Sequence, residues 1–314
     1  MAITALNRQK FQNPAHTLDG QARAHVALRA LDTLWFNTGT LCNIACAHCY
    51  IESSPANDRL EYLRAHEVTQ YLDEIRDTGL PTTEIGFTGG EPFMNPDILT
   101  MLEDCLARGF RVLVLTNAMQ PMRRPKISLG LLKLHARFGG KLTLRVSLDH
   151  YTKALHEKER GAGTWNAAID GLRYLSGHGF SLHVAGRLNW DEDMDMARTG
   201  YAQLFSEHDI GVDAYNPVQL VLFPEMDERV DVPEITTACW GILDKSPDDV
   251  MCASSRMVVK RKGALRPAVL ACTLLPYDAR FEMGERLAGA SGPVTLNHPH
   301  CAKFCVLGGA SCKP

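Results

Sequence analysis

The alternation of strand-like and helical segments between residues 31 and 223 is the feature that most constrains the fold of this chain. Apolar runs of strand length alternate there with segments whose apolar residues recur at helical spacing, which is typical of β-α units around a parallel sheet. Six strands are predicted, at 34–37, 83–88, 110–115, 142–148 and 181–187 and in a run that ends at Phe223. A closed eight-fold barrel needs about 250 residues, whereas this region offers roughly 190. We therefore predict an α/β fold with a partial, laterally open (β/α)6 TIM-like barrel.

Capping residues predict where several of the helices between these strands begin and end. Residues 65–78 carry apolar side chains at helical spacing and are followed by Gly79, a residue that tolerates a left-handed C-terminal cap. Asn95 followed by Pro96 predicts the start of the next helix, with asparagine as the cap and proline at the first helical position. Thr164 is the predicted N-cap of a third helix.

Composition and charge exclude several function classes. The 314 residues are 45% hydrophobic and 22% charged, with a net charge of -3, so the bulk charge implies neither nucleic acid nor an anionic membrane as a partner. No apolar run is long enough for a signal peptide or a membrane span. We expect a cytoplasmic protein. In that reducing compartment, a chain with ten cysteines is expected to bind metal rather than to form disulfides.

The cysteines form two groups, which suggests a division into domains. Three lie between residues 42 and 49 and six lie after residue 238, while Cys105, on the apolar face of a predicted helix, is expected to be a core residue. We predict an N-terminal extension at 1–30, a barrel at 31–225 and a small cysteine-rich domain at 234–314. Periodicity is weak in the last segment, so we expect metal rather than an apolar core to organise it.

The first cysteine group has a spacing that suits an iron-sulfur cluster. Cys42, Cys46 and Cys49 are separated by three and then two residues, so one loop can wrap three corners of a cubic cluster. The fourth iron would have no protein ligand nearby and could bind an exogenous molecule, unlike the irons of a fully ligated cluster. A zinc knuckle is the alternative, although zinc normally takes four ligands.

A second motif, Thr-Gly-Gly-Glu-Pro at 88–92, follows the second predicted strand. The carboxyl ends of strands carry the chemistry of β/α barrels. Gly89 and Gly90 would let a ligand approach the backbone there, and Glu91 would offer an acceptor for an amine.

Together these two motifs, with His48 directly before the third cysteine, resemble the radical S-adenosylmethionine (SAM) superfamily over roughly residues 30–225. The resemblance implies a 4Fe-4S cluster on Cys42, Cys46 and Cys49 whose open iron binds the amino and carboxylate groups of SAM. It further implies cleavage of SAM to a 5'-deoxyadenosyl radical that abstracts hydrogen from a substrate, which is oxidoreductase or lyase chemistry. Reduced flavodoxin or ferredoxin is the expected electron donor.

The resemblance also implies a set of residues that contact SAM. Gly89, Gly90 and Glu91 would receive the methionine amino group, and His48 would flank the adenine. Contacts to the adenine, ribose or carboxylate are expected at the ends of later strands, from Thr116, Asn117, Ser147 and Arg187.

Structural roles are the alternatives for some of these strand-end residues. The hydroxyls of Thr116 and Ser147 could bond strand-end backbone, and Arg187 could form an ion pair. Asp149 and His150 follow the fourth strand and are candidate proton acceptors by position alone.

The second cysteine group resembles the SPASM and twitch domains, which hold auxiliary 4Fe-4S clusters. The resemblance lies in a cysteine, a short hairpin that turns at Gly263, and a further cysteine. Because a full SPASM domain has more cysteines, we expect one auxiliary cluster. Four of the following five residues are its expected ligands: Cys252, Cys272, Cys301, Cys305 and Cys312. Zinc on the same cysteines and a ligand from His298 or His300 are alternatives, and Cys239 is expected to be a packed helical residue rather than a reactive thiol.

The length of chain ahead of the barrel bears on the class of substrate. Only about 30 residues precede the barrel, which leaves no room there for a separate peptide-recognition domain and favours a small molecule. The alternatives are a peptide or protein maturase of the same superfamily and a non-enzymatic iron-sulfur or zinc module. Two basic stretches without acidic residues, 123–145 and 257–275, are either solvated faces or docking surfaces for an anionic substrate or electron donor.

Overall fold

The structure is a computed structural model that describes residues 4–188, 192–224 and 227–309. Its strands are β1 His25–Val26, β2 Thr33–Asn37, β3 Glu84–Thr88, β4 Arg111–Thr116, β5 Leu142–Ser147, β6 Ser181–Leu188, β7 Leu220–Pro224, β8 Ser255–Val259, β9 Ala268–Leu270 and β10 Val294–Thr295. Its α-helices are α1 Ala65–Thr78, α2 Ile98–Ala107, α3 Gln120–Arg123, α4 Pro125–Phe138, α5 Lys153–Arg160, α6 Thr164–Gly177, α7 Met194–Glu207 and α8 Cys239–Ile242. A π-helical turn spans Cys301–Leu307.

Six parallel strands form the barrel. Strands β2 to β7 are neighbours in chain order, and at least one helix connects each to the next. Within the described ranges β7 and β9 are the two edges of the sheet, so the barrel is laterally open. This confirms the predicted fold class, and the predicted strand ends agree with the observed ones to within one residue.

The barrel strands are apolar because both of their faces are covered. All five residues of β2 and of β3 are buried, and Phe36 stacks on Phe87 with ring centroids 5.7 Å apart. Helices α1 and α2 bury Leu72 and Leu102 against this layer. Cys105 is fully buried in the same core, as expected.

Helix α1 has the predicted bounds, but the next helix begins later than the sequence suggests. Gly79 adopts the left-handed conformation at φ 65° and caps α1. Asn95 does not cap a helix at Pro96. Instead, its side-chain oxygen accepts the Asp97 N–H and its amide donates to two backbone carbonyls, which fixes the loop ahead of α2.

The predicted cap at Thr164 is displaced by one position. Gly163 is the N-cap of α6, and Thr164 is its first residue. The Thr164 hydroxyl donates to the Gly161 carbonyl oxygen rather than accepting from the helix backbone. The segment therefore forms the predicted helix with a different start.

The C-terminal segment extends the barrel sheet. Strand β8 pairs in parallel with β2 and antiparallel with β9, which gives the sheet eight strands. The predicted hairpin is present, and Gly263, at φ 77°, lies in its connection. Trp35, Leu270 and Phe304 belong to a second buried apolar cluster at this end of the molecule. The expectation that metal rather than a core organises the segment is therefore wrong, because tertiary packing supplies a core that local periodicity does not reveal.

Residues before the barrel contact the C-terminal segment. Strand β1 pairs with β10, and the buried Arg23 guanidinium forms an ion pair with Glu234. Lys10 forms a second ion pair with Asp231, at 2.8 Å. These contacts and the β2–β8 pairing cross the predicted domain boundaries, and the division into three domains stays a prediction.

None of the helices in the described part of the chain combines the length and the apolar character that a membrane span requires.

Candidate active site

A cavity opens at the carboxyl ends of the parallel strands. It brings together most of the residues expected to hold the cluster and SAM: Cys42, Cys46, Cys49, Gly89, Gly90, Thr116, Asn117, Ser147 and Arg187. His48 and Glu91 are not among the residues that line it. Convergence of residues from five strand ends on one cavity is the arrangement typical of barrel active sites. The individual roles of these residues stay predictions.

The three motif cysteines reach this cavity from the loop after β2. Burial raises the pKa of Cys42 to about 12 and also raises that of Cys46, and the neighbouring motif thiolates add to both shifts. Closely spaced thiols that resist ionisation on their own become thiolates when a metal centre compensates their charge. Within the described ranges no other cysteine lines the cavity, so the donor set fits a cluster with one iron left for another ligand.

The glycine pair after β3 is required by the protein's own packing. Gly89 has φ 140°, and a Cβ on Gly90 would collide with the Leu41 carbonyl oxygen. The Gly90 N–H donates to the Gly39 carbonyl at 2.8 Å, and the Glu91 N–H donates to that of Leu41 at 3.2 Å. The pair therefore seats the base of the cysteine loop against β3 while it also lines the cavity.

Glu91 lies beside the cavity, where protein donors bind its carboxylate. It is 1% exposed and accepts hydrogen bonds from the Thr116 hydroxyl at 2.8 Å, the Asn117 N–H at 2.8 Å and the Phe93 N–H at 3.1 Å. These bonds hold the end of β4, from which the Asn117 amide donates to Asn43 Oδ1 at 2.9 Å. The contacts favour a role in shaping the cavity, and direct contact with the SAM amine stays a prediction.

The pH dependence of stability tests this placement of Glu91. Burial raises its pKa from 4.5 to about 7, so between these values the folded apoprotein retains a proton that the unfolded chain releases. We expect the unfolding free energy to fall by about 3 kcal/mol as pH rises through this window, relative to Glu91→Gln. Urea unfolding of both apoproteins across the window measures the difference. If the unfolding free energies of the two apoproteins changed in parallel with pH, Glu91 would be ionised in the folded protein throughout this pH window.

The end of helix α5 clamps the cysteine loop from outside. The Ala47 N–H donates to the Glu159 carbonyl at 2.7 Å, and His48 Nδ1 lies 2.7 Å from the Glu159 carboxylate. Arg187 Nη2 donates to the His48 carbonyl at 3.1 Å. The His48 side chain is 55% exposed, and its predicted contact with adenine stays a prediction.

Asp149 and two arginines form a buried ionic network at the cavity wall. The Asp149 carboxylate accepts from Arg160 Nε at 2.8 Å and from Arg187 Nε at 3.4 Å. Burial alone would raise the pKa of Asp149, but the two guanidinium groups hold it below its ordinary value. Asp149 is thus positioned to hold both arginines rather than to take a proton. Arg187 forms the ion pair that was predicted from the sequence as the alternative to a contact with SAM. It also lines the cavity.

Arg160 lines the cavity but was missed by sequence reasoning. It ends the segment Lys-Ala-Leu-His-Glu-Lys-Glu-Arg, which has the charge pattern of a solvated helix face. Only the way in which α5 packs on the cysteine loop brings it inside, where its charge lowers the pKa of Cys46 against the effect of burial. No local signal in the sequence distinguishes it from its charged neighbours.

Asp149→Asn is expected to destabilise the fold because it leaves Arg160 without its buried counter-ion. Breaking a buried ion pair on one side typically costs about 3–5 kcal/mol. The matched control is Asp73→Asn, which removes partly exposed ion pairs with Arg76 and Arg108 and should leave the unfolding free energy nearly unchanged. Chemical denaturation of both variants checks the contrast. Equal losses would show that the network does not stabilise the fold as its burial implies.

His150 is not among the residues that line the cavity. Its Nε2 lies 2.7 Å from the Glu192 carboxylate, and its Nδ1 accepts the Thr152 N–H at 2.9 Å. The structure therefore gives no support to its predicted role as a proton acceptor.

The side of the cavity near the C-terminal segment is apolar. It is formed by Tyr50, Phe223, Leu274 and Phe304, and the rings of Phe223 and Phe304 lie 5.3 Å apart. Sequence reasoning missed Phe223, Leu274 and Phe304 because they come from distant elements, namely β7, the loop after β9 and the π-helical turn. Tyr50, directly after Cys49, was missed as well. An apolar side next to a polar one suits a substrate that presents an uncharged group.

A second cavity lies behind this apolar side. It is lined by Cys252, Cys272, Cys301 and Cys305, which are four of the five expected auxiliary ligands. Burial raises the pKa of Cys301, and the nearby Cys272 and Cys252 raise it further, so these thiols lie close together. Four converging cysteines fit a fully ligated 4Fe-4S cluster. Among the described residues they do not form one of the close groups of ligand atoms that a single zinc ion takes.

The remaining candidates at this end lie in different places. Cys239, the first residue of α8, does not line the second cavity. Its Sγ lies 3.4 Å from the hydroxyl of Thr236, which precedes the helix. Cys312 lies outside the described residues. His300 lines the second cavity, whereas His298 Nε2 lies 3.5 Å from the Glu228 carboxylate.

The two cavities share a wall. Leu274 lines both, and its backbone N–H donates to Cys272 Sγ at 3.3 Å. Tyr277, from the same loop, donates its hydroxyl to the Ile51 carbonyl at 2.8 Å and so ties that loop to the first cysteine loop. One side chain therefore separates the two candidate metal sites at this point.

The second basic stretch is largely neutralised by acidic residues elsewhere in the fold. Lys260 pairs with Glu67 at 2.6 Å, and Arg261 pairs with Glu282 at 2.8 Å. This favours the solvated-face interpretation of residues 257–275 over a docking surface.

Comparisons with known proteins agree with this architecture. The chain is 36% identical over 145 residues to AlbA of Bacillus subtilis, the antilisterial bacteriocin subtilosin biosynthesis protein, covering 46% of this chain and 30% of AlbA. It is 29% identical over 142 residues to the mycofactocin maturase MftC of Mycobacterium ulcerans, covering 45% and 35%. The matched segments span about a third of these relatives.

Among solved structures, Streptococcus suis SuiB bound to its precursor peptide SuiA superimposes with a TM-score of 0.60. The match covers 85% of this chain and 66% of SuiB at 13% identity, so it shows a shared fold. A sequence model of the radical SAM superfamily, whose cofactors are a 4Fe-4S cluster and SAM, matches residues 36–199, more than half of the chain. The chain therefore belongs to the radical SAM superfamily.

Proposed function

We propose that this protein is an enzyme that cleaves SAM reductively and abstracts hydrogen from a peptide substrate, with an auxiliary cluster in its C-terminal segment. The observation that carries the proposal is the single cavity lined by all three motif cysteines and by residues from the ends of β3 to β6. A non-enzymatic iron-sulfur or zinc module would have no need for such a cavity. The assignment of each residue within it is part of the proposal.

The cluster would be held by Cys42, Cys46 and Cys49, and with SAM bound it would supply the 5'-deoxyadenosyl radical that takes a hydrogen atom from the substrate. Gly89 and Gly90 hold the cysteine loop in place, and Glu91 fixes Thr116 and Asn117 at the cavity wall. Arg160 and Arg187, held by Asp149, supply positive charge for the SAM carboxylate and the cluster. The apolar side orients the substrate and excludes water from it.

A peptide substrate replaces the small molecule that the sequence favoured. The relatives at 36% and 29% identity are a bacteriocin biosynthesis protein and a maturase, and SuiB, which shares the fold, is known in a complex with its precursor peptide. The apolar side of the cavity, with Phe223 and Phe304, suits an uncharged side chain of such a peptide. Reduced flavodoxin or ferredoxin is the proposed electron donor.

Fractionated extract from the source organism tests the substrate class. The reconstituted enzyme is given SAM and dithionite with either the retained or the dialysable fraction, and formation of 5'-deoxyadenosine above the substrate-free rate is measured. A peptide substrate predicts stimulation by the retained fraction that is lost after protease treatment. Stimulation by the dialysable fraction alone, unchanged by protease, would support a small molecule instead.

A further inference from the structure

His300 carries a buried ring nitrogen that no described residue satisfies. The residue is 6% exposed, and its Nδ1 has no hydrogen-bond partner among the described residues. Buried polar atoms in native proteins nearly always have a partner, so an orphaned one that belongs to the lining of a cavity is a candidate donor to a group bound there. The question is which group His300 faces.

The position of the ring points to the second cavity. His300 lines it together with Cys252, Cys272, Cys301 and Cys305, and it directly precedes Cys301 in the chain. The other ring nitrogen, Nε2, lies 4.0 Å from the Glu228 carboxylate, and Glu228 lines a separate surface cavity. Since Nε2 is directed to that side, Nδ1 is the nitrogen left for the cysteine-lined cavity.

The buried His300 ring packs against the ring of His298. The two rings lie 4.8 Å apart, and the His300 backbone N–H donates to His298 Nδ1 at 3.1 Å, which orients the His298 ring. His298 in turn lies 3.5 Å from the Glu228 carboxylate. A ring held this way presents its nitrogen at a fixed place, as a tuning interaction requires.

We propose that His300 donates a hydrogen bond from Nδ1 to a sulfur atom of the auxiliary cluster and thereby raises the reduction potential of that cluster. The inference rests on the proposed function, because it assumes that the four cysteines hold an iron-sulfur cluster. They already complete its coordination, so His300 is a positioning residue and not a ligand. A donor to cluster sulfur stabilises the more negative reduced state and so favours reduction.

The test uses a protein that retains only the auxiliary cluster. Cys42→Ala, Cys46→Ala and Cys49→Ala are combined in the full chain, and redox titration followed by electron paramagnetic resonance gives the midpoint potential. His300→Leu is expected to lower the potential at unchanged iron content. His300→Asn, whose amide nitrogen can take the place of Nδ1, should restore most of the shift, whereas His300→Gln, whose amide reaches toward Nε2, should not.

A matched control separates the hydrogen bond from altered packing. Val250→Ala shortens an apolar side chain of the same cavity and removes no donor, so its potential should match that of the parent. The inference is overturned if His300→Leu leaves the potential unchanged, or if Val250→Ala shifts it equally. Loss of iron from folded His300→Leu would make His300 a ligand and also contradict it. A parent that binds no iron-sulfur cluster would overturn the auxiliary cluster in the proposed function together with this inference.

Discussion

Cys46→Ala is expected to remove about four irons per chain and to abolish SAM cleavage. Cys42, Cys46 and Cys49 are the described cysteines that line the first cavity, so the loss of one leaves two donors for a cluster that already lacks a fourth. No neighbouring thiol among the described residues can replace it. Iron and sulfide counting after anaerobic reconstitution, with 5'-deoxyadenosine measured in the same sample, checks both effects.

Cys105→Ala is the matched control for this prediction. Cys105 is fully buried in the core between α2 and the sheet and lines neither cavity. Its removal should leave the iron content and the cleavage of SAM as they are in the unmodified protein. Retained SAM cleavage in Cys46→Ala would show that the motif does not hold the cluster that activates SAM.

Cys272→Ala is expected to remove about four irons as well, but from the second cavity, and to retain SAM cleavage in the absence of substrate. Product formation should be lost, because the proposed auxiliary cluster lies one side chain, Leu274, from the apolar side of the first cavity. The comparison of cleavage and product formation in Cys46→Ala and Cys272→Ala separates the two roles. Equal loss of SAM cleavage in both folded variants would contradict this division.

The local motifs and the barrel could be predicted from the sequence. Strand-like runs with helices between them fix the order of a parallel sheet, because each connection returns the chain to the next strand on the same side. The cysteine loop and Gly89–Gly90 are short segments whose spacing alone brings them to the ends of neighbouring strands. Their meeting in one cavity therefore follows from strand order.

The remaining features depend on contacts between distant segments. Arg160 enters the cavity because α5 packs on the cysteine loop, and Phe304 enters because the C-terminal segment folds back over β7. The pairing of β8 beside β2 places the auxiliary cysteines next to the barrel, although about 220 residues separate the two strands. Local propensity carries no information on such pairings, which tertiary packing decides.

Glu91 shows how a correctly located motif can make contacts that the sequence does not reveal. The sequence places its carboxylate at a strand end, where an amine acceptor is useful. The structure shows that Thr116 and Asn117 from the next strand already bind it. The hydrogen bonds to the Glu91 carboxylate depend on the register between β3 and β4, which hydrophobic patterning fixes only approximately.

The most direct test of the central claim is anaerobic reconstitution of the full chain, followed by iron and sulfide counting and an assay for 5'-deoxyadenosine with dithionite and SAM in the same sample. The proposed two-cluster radical enzyme predicts about eight irons per chain and formation of 5'-deoxyadenosine. Bound zinc in place of iron, or intact clusters with no cleavage of SAM, would contradict it.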